Sequence, residues 1–168
     1  MTHRIYQFSS TLTAALLFLA VASSASAQSE MRGPYFDLFG ARVQSVDGSD
    51  HFHSDGYGVR GGFRFNNVLA LEGSLSRFKD SDVQFGDLSA KAYFLHSKGF
   101  EMYAVASPGL FKASGESFRL SLHAGIGAEI GLGDRAYLRP EVRGHWLSQD
   151  LNGDNHLVDY SLGLGWRF

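Results

Sequence analysis

Hydrophobic and polar residues alternate along most of this chain with a period of two. The alternation is clearest at the end, where one face is formed by Tyr160, Leu162, Leu164, Trp166 and Phe168. The positions between them hold serine, glycine and arginine. This pattern predicts a β-strand with one apolar side. Such a strand at an open sheet edge invites aggregation, so the pattern favours a sheet that closes on itself.

Seven upstream segments repeat the pattern, which gives eight predicted strands. The strands cover Gly33 to about Val43, Gly56 to Phe65, Val68 to Arg77, Asp87 to Leu95, Phe100 to about Ser107, Phe118 to Ile130, Ala136 to Trp146 and Tyr160 to Phe168. The connections at Asn66, His96 and Gly131 are short, and longer polar connections lie at Gln44–Asp55, Lys79–Gly86, Lys112–Ser117 and Ser148–Asn155. Alternating short turns and longer loops are typical of an outer-membrane barrel, and strands of about ten residues suit the thickness of a bilayer.

The first 27 residues are predicted to be a cleaved signal peptide. Arg4 supplies positive charge, and Leu12 to Ala22 forms an apolar run too short to span a bilayer as a helix. Ala25-Ser26-Ala27 offers the small residues that a signal peptidase reads. An uncleaved helix is the alternative. The mature chain, residues 28–168, is then predicted to be a single barrel domain.

The composition excludes several classes of protein to which this chain could belong. The chain has no cysteine, so an exported protein of this sequence does not rely on disulfides. Its formal net charge of −2 shows no basic excess, and binding to nucleic acid is not expected. No long apolar run follows the signal, so any membrane insertion must use strands. Pro108 and Pro140 lack the N–H that a closed ladder needs, and bulges or strand ends are expected there.

Charged residues occupy the second face of the predicted strands. The predicted lumen ion-pair network comprises Arg60, Arg64, Glu72, Lys91, Arg119, Glu129, Arg139, Glu141, Arg143, Asp159 and Arg167, and Asp37 and Glu101 share this face. Seven basic and six acidic groups nearly cancel. A soluble barrel of the lipocalin type would instead place its apolar face inside. Charges facing lipid cost about 2–4 kcal/mol each at the midplane, so the charged face is expected inside.

The predicted fold is therefore all-β: an eight-stranded antiparallel transmembrane up-and-down barrel with a polar, charge-paired lumen. A barrel of eight strands is just wide enough for its side chains to fill, so no broad pore is expected. The glycines at 58, 62, 125, 127, 163 and 165 lie on the inward face, where they are expected to make room for long Arg and Glu side chains.

Three segments resemble the small Gram-negative outer-membrane barrels of the OmpA/OmpX/NspA kind. They are Gly56-Tyr57-Gly58, Phe63-Arg64-Phe65-Asn66-Asn67 and the terminal Leu162-Gly163-Leu164-Gly165-Trp166-Arg167-Phe168. The resemblance implies a monomer in the outer membrane, surrounded by lipid and lipopolysaccharide, with short turns in the periplasm and longer loops outside the cell. It also implies insertion by the barrel assembly machinery, with help from periplasmic chaperones. The assembly signal would be Tyr160, Leu162, Leu164, Trp166 and Phe168.

One group of residues raises the possibility of catalysis. His145, Ser148 and Asp159 lie on or beside the last two strands and resemble the base, nucleophile and acid of PagL-type lipid A deacylases. The family spaces His and Ser by two and uses Glu as the acid; here the spacing is three and the acid is Asp. His145 and Asp159 are therefore interpreted as lumen network members, and no catalytic site is predicted.

Two polar loops contain residue types that can bind metals. Asp47 to Asp55 and Asp150 to His156 hold oxygen and imidazole groups. Solvated loops commonly have this composition, so no metal and no cofactor are predicted. The leading hypothesis is an outer-membrane barrel with a structural or surface-interaction role. The alternatives are a lipid A deacylase-like hydrolase, a narrow-channel porin-like protein and a soluble periplasmic ligand-binding barrel.

Overall fold

The structure is a computed structural model that describes residues 32–46, 53–79, 83–113, 117–151 and 154–168. The predicted signal peptide, 1–27, lies outside the described residues, and so does half of the first polar loop, residues 47–52. Among the described residues no helix is long and apolar enough to cross a membrane.

Eight antiparallel strands form one closed barrel in sequence order. They are β1 Gly33–Ser45, β2 His53–Arg64, β3 Leu69–Phe78, β4 Val83–Ser97, β5 Phe100–Lys112, β6 Arg119–Gly131, β7 Ala136–Leu151 and β8 Asp154–Arg167. The last strand closes the barrel against the first, with Leu38 opposite Leu164. No edge strand remains, which is why so apolar a terminal strand is tolerated. The predicted fold class is confirmed.

Each strand presents one face to the lumen and the other to the surroundings, as the period-two pattern predicts. Leu162 and Leu164 on the outer face are 54% and 59% exposed, whereas Arg139 on the inner face is fully buried. The apolar side therefore faces outward and the charged side inward, the reverse of a soluble barrel. The predicted phase holds even for β1, where Phe36 and Leu38 point out and Asp37 points in.

Several strands are longer than the sequence pattern predicts. β4 begins at Val83 and not at Asp87, and Val83 and Phe85 are buried in the lumen. β7 and β8 extend across the predicted Ser148–Asn155 loop, with only two residues between them. The expected long connection at that position is therefore wrong. Polar residues can continue a strand beyond the membrane because water satisfies their side chains while the ladder satisfies their backbone.

The expectation of bulges or strand ends at the prolines is also wrong. Pro108 lies within β5, and the β4–β5 register is the same at Ala106 and at Gly109 on either side of it. The β6–β7 register is likewise unchanged across Pro140. In each of these two ladders, the pairs formed by the proline and by one residue next to it are missing, but the register of the two strands does not change. The irregularity in the β4–β5 ladder comes instead after Tyr93.

The lumen has an apolar end and a polar middle. We call the apolar cluster at the end nearer the β1–β2, β3–β4, β5–β6 and β7–β8 connections the apolar plug; it comprises Val43, Phe78, Val83, Phe85, Phe111, Leu147 and Leu157. We call that end the loop end and the opposite one the turn end. Below the plug the barrel interior is filled by charged residues and tyrosines.

Candidate functional site: the charged lumen

Arg139 on β7 is the centre of the lumen. Its guanidinium donates to Asp37 Oδ2 at 2.6 Å and to both oxygens of Glu72 at 2.5 and 2.8 Å. It also donates to Glu141 Oε2 at 3.0 Å and to the Tyr103 hydroxyl at 2.7 Å. Arginine suits this position because its planar fork can serve several carboxylates at once.

Two more arginines, Arg143 and Arg60, extend the network toward the loop end. Arg143 Nε donates to Glu141 Oε1 at 2.6 Å, and its other nitrogens reach Glu72 at 3.3 Å and Asp87 at 3.3 Å. Arg60 lies 3.2 Å from Glu141 and stacks over a phenylalanine ring of β1. These groups come from β2, β3, β4 and β7, so the network ties strands on opposite sides of the barrel.

The turn end has its own chain of ion pairs. Lys91 Nζ lies 2.7 Å from Glu129, which is also 2.6 Å from Arg167. Arg167 lies 3.2 Å from Glu101. Arg64 forms a bidentate salt bridge with the same carboxylate, with N···O distances of 2.7 and 2.8 Å. Every carboxylate here has at least two donors, which is what stabilises buried charge.

Two histidines lie between the network and the apolar plug. His145 Nε2 and Asp159 Oδ2 are 2.6 Å apart, and the His145 ring packs against the His123 ring with centroids separated by 4.3 Å. His123 Nε2 contacts the Ser121 hydroxyl at 2.7 Å, and its Nδ1 is 3.6 Å from Asp87. The connectivity of Ser121, His123 and Asp87 is that of a Ser–His–Asp array, but at most 4% of each of these residues or side chains is exposed, and Phe85 of the plug packs against the His123 ring.

Inward glycines accommodate aromatic rings more than charged chains. A Cβ on Gly62, Gly127 or Gly165 would collide with the cross-strand ring of Tyr35, Tyr103 or Tyr137, respectively. The tyrosine hydroxyls then reach network carboxylates. The expectation that glycines make room for Arg and Glu chains is therefore correct only in part: at Gly125 the close side chain is Arg143.

Nearly all predicted network residues occupy the lumen. The exceptions in position are Arg167, which is partly exposed at the turn end, and Arg119, which is half-buried at the loop end opposite Phe111. Asp87 is a network member that the sequence analysis did not identify. It is the first residue of the predicted fourth strand and lies in the same phase as Ser89 and Lys91, so the alternation alone places it on the charged face.

The three candidate catalytic residues are not brought together. His145 and Asp159 face the lumen and contact each other, whereas Ser148 is exposed on the outer face of β7. Three positions along a strand reverse the side, which explains the separation. Among the described residues no group of three His, Cys, Asp or Glu side chains is arranged to hold a metal ion.

The outer surface is an apolar band with charges beyond it. The predicted assembly-signal residues all face outward, with 46–72% of each side chain exposed: Tyr160, Leu162, Leu164, Trp166 and Phe168. At the loop end, Arg42 forms a bidentate salt bridge with Asp55 on the outer surface, with N···O distances of 2.6 and 3.0 Å. This hydrogen-bonded contact holds the pKa of the Asp55 carboxyl below its usual value.

A closed eight-stranded barrel with lipid-compatible residues outside and paired charges inside defines the class of small outer-membrane barrels. The family of the outer membrane protein beta-barrel domain matches residues 13–168, and this chain belongs to that family. The family indicates a location in the outer membrane. A search of curated proteins finds no match.

Three solved bacterial proteins illustrate the similarity of fold. Neisserial surface protein A (NspA) is 16% identical, with a TM-score of 0.68 over 81% of this chain and 97% of that one. The N-terminal barrel of Pseudomonas aeruginosa OprF is 14% identical, with a TM-score of 0.64 over 82% and 99%. Ail of Yersinia pestis, solved with the heparin analogue sucrose octasulfate, is 17% identical, with a TM-score of 0.61 over 82% and 99%. At these identities the likeness bears on the fold alone.

Proposed function

We propose that this protein is a monomeric, non-catalytic outer-membrane barrel that acts through its outer surface and loops and forms no broad pore. The observation that carries the proposal is the filled lumen. Arg139 is fully buried among three carboxylates, and the apolar plug lies above it. A solute would have to displace both layers to pass.

The even number of strands supports the proposed orientation, because it brings both ends of the barrel to the same side. Both ends of the described barrel lie at the turn end, which in this proposal faces the periplasm, while the loop end faces outside. The outward side chains of β8 then meet lipid and lipopolysaccharide. The same residues serve as the signal for the barrel assembly machinery, to which periplasmic chaperones deliver the chain.

A conductance experiment tests the filled lumen. Purified protein in planar bilayers is expected to show no steady current, alongside a trimeric porin as the positive control. A stable, ohmic current through the wild-type barrel contradicts the proposal. The narrow-channel alternative predicts a small current whose ion selectivity changes in Arg139→Met but not in the exposed-turn variant Arg135→Met.

Single cysteines test location and orientation, because the chain has none of its own. Lys79 lies at the loop end and Lys98 in the β4–β5 turn. A membrane-impermeant maleimide added to intact cells is expected to label Lys79→Cys and not Lys98→Cys. Labelling of Lys98→Cys alone reverses the orientation, and recovery of the protein in the soluble periplasmic fraction contradicts the membrane location.

Lipid A analysis tests the absence of catalysis. Cells that express the wild-type protein are expected to contain the same lipid A species as cells that express Ser148→Ala or Ser121→Ala. This result is expected because Ser148 faces away from His145, and Ser121 is enclosed in the lumen. Loss of an acyl chain that depends on either serine would establish a hydrolase and overturn the non-catalytic proposal.

A further inference from the structure

The outer face of the barrel contains an apolar groove of about 920 Å³ across β2 to β6. Two glycines, which have no side chains, form its floor. Gly61 and Gly73 are cross-strand partners in the β2–β3 ladder and lie on its outward face. A Cβ on Gly73 would meet nothing closer than a backbone oxygen at 3.9 Å, so the space over the floor is open.

Long apolar side chains form the walls of this groove. Leu75, Phe118 and Leu120 are 65–66% exposed, among the highest values for apolar residues in the described chain. Side chains with exposed fractions this high leave apolar surface that no other part of the protein covers. Within the membrane band, an apolar ligand is the occupant that such a surface favours.

Cationic side chains lie just beyond the loop-side end of the groove, next to its lining residues Gln84 and Phe118. Tyr57, Arg77, Gln84 and Lys112 are successive cross-strand partners on β2 to β5 and form a row next to the groove walls. Lys112 Nζ lies 5.4 Å from the centroid of the Phe118 ring, which is itself a groove wall.

A second lysine completes this cationic rim. Lys79 Nζ lies 5.6 Å from the centroid of Tyr57, and Arg77 precedes it on the outward face of β3. Among the described residues Asp55 lies beside this rim: its carboxylate forms an ion pair with Arg42 and also interacts electrostatically with Lys79. A basic row at the edge of a membrane band attracts the anionic groups of lipids.

We propose that the groove and its rim form a binding site for one lipopolysaccharide molecule, with acyl chains over Gly61 and Gly73 and phosphates at Lys79, Arg77 and Lys112. The commitment to lipopolysaccharide rests on the proposed orientation, which places the loop end in the outer leaflet. Charge complementarity at one end and apolar surface below it match an amphiphile that carries several chains and more than one phosphate.

The test measures lipid retention by the full folded barrel in detergent, using native mass spectrometry with diphosphoryl lipid A, dephosphorylated lipid A and phosphatidylglycerol. Diphosphoryl lipid A is expected to bind most tightly. The double variant Lys79→Ala/Lys112→Ala should weaken its binding about tenfold or more. Gly73→Leu, which fills the groove, should weaken the binding of both forms of lipid A.

Matched controls separate the site from general effects. Lys98→Ala removes a lysine at the turn end, and Val142→Leu enlarges an outward side chain on β7, a strand that contributes no lining residue to the groove. Both should bind like the wild type, and heat-modifiable migration confirms that every variant is folded. Equal lipid binding by all variants overturns the proposal, as does equally tight binding of phosphatidylglycerol.

Two further outcomes remain distinct. Self-association that Gly73→Leu abolishes would identify a second copy of the chain as the occupant and overturn the lipid site. Binding is measured in detergent, where the orientation of the barrel in a membrane plays no part. A failure to bind lipid A therefore contradicts this site and not the proposed orientation. The proposed orientation stands or falls separately on cysteine labelling in cells.

Discussion

Replacing Arg139 by methionine removes the donor that holds the centre of the lumen together. The guanidinium makes charged contacts to Asp37, Glu72 and Glu141, and each of these carboxylates is at most 3% exposed. Individual charge-assisted bonds contribute about 1.5–3 kcal/mol, but their sum overstates the effect because burying the ions is itself costly. Removing one partner of a buried pair costs about 3–5 kcal/mol, and we expect a loss in that range.

The assay is equilibrium urea unfolding of the refolded barrel, followed by the fluorescence of its two tryptophans. Arg139→Lys keeps the charge but loses the fork, so its loss in unfolding free energy should be smaller, about 1–3 kcal/mol. Arg135→Met, in the exposed β6–β7 turn, is the matched control and should stay within about 0.5 kcal/mol of the wild type.

Two results would refute this reasoning. A loss below about 1 kcal/mol for Arg139→Met would mean that the ion pairs contribute little beyond their desolvation. Equal stability of Arg139→Lys and the wild type would mean that the forked geometry is unimportant. A double variant with Glu72→Gln should recover part of the loss, because it removes a carboxylate left with fewer donors, and the coupling should be about 0.5–3 kcal/mol.

Two further substitutions and one deletion test the lumen, the outer face and assembly. Gly165→Ala should lower the unfolding free energy by about 1–3 kcal/mol because its Cβ collides with Tyr137, whereas Gly40→Ala should be nearly neutral in the same urea titration. Leu164→Arg, on the outer face, should cost about 2–4 kcal/mol in lipid vesicles; no loss there would contradict a lipid-facing β8. Deletion of Phe168 should reduce the heat-modifiable fraction in the outer membrane, and normal assembly would count against its role as a signal.

The sequence predicts the faces of the strands well because alternation is a local property. Arg139 and Leu138 are neighbours, yet one lies in the lumen and the other on the outer face, as their chemistry requires. Strand ends were predicted less well. Val83 and Phe85 follow the inward phase, but the charged residues before them resemble a loop, and only pairing with β3 shows that the strand begins there.

The partners of the charges could not be derived from the pattern. Arg139 contacts Asp37, 102 positions away, and Glu72, 67 positions away. Such contacts depend on the register of all eight strands and on the tilt that closes the barrel. The contact between His123 and His145 has the same origin, since the two are direct cross-strand partners on β6 and β7.

The alternation of residues is enough to predict eight strands whose charged side faces inward, because lipid tolerates the apolar side and not the charged one. The folded barrel is needed to show which carboxylate each arginine contacts, which glycine lies against each tyrosine, and where outward glycines leave a groove beside a basic rim. Those features arise from residues far apart in sequence, and only the closed register brings them within contact distance.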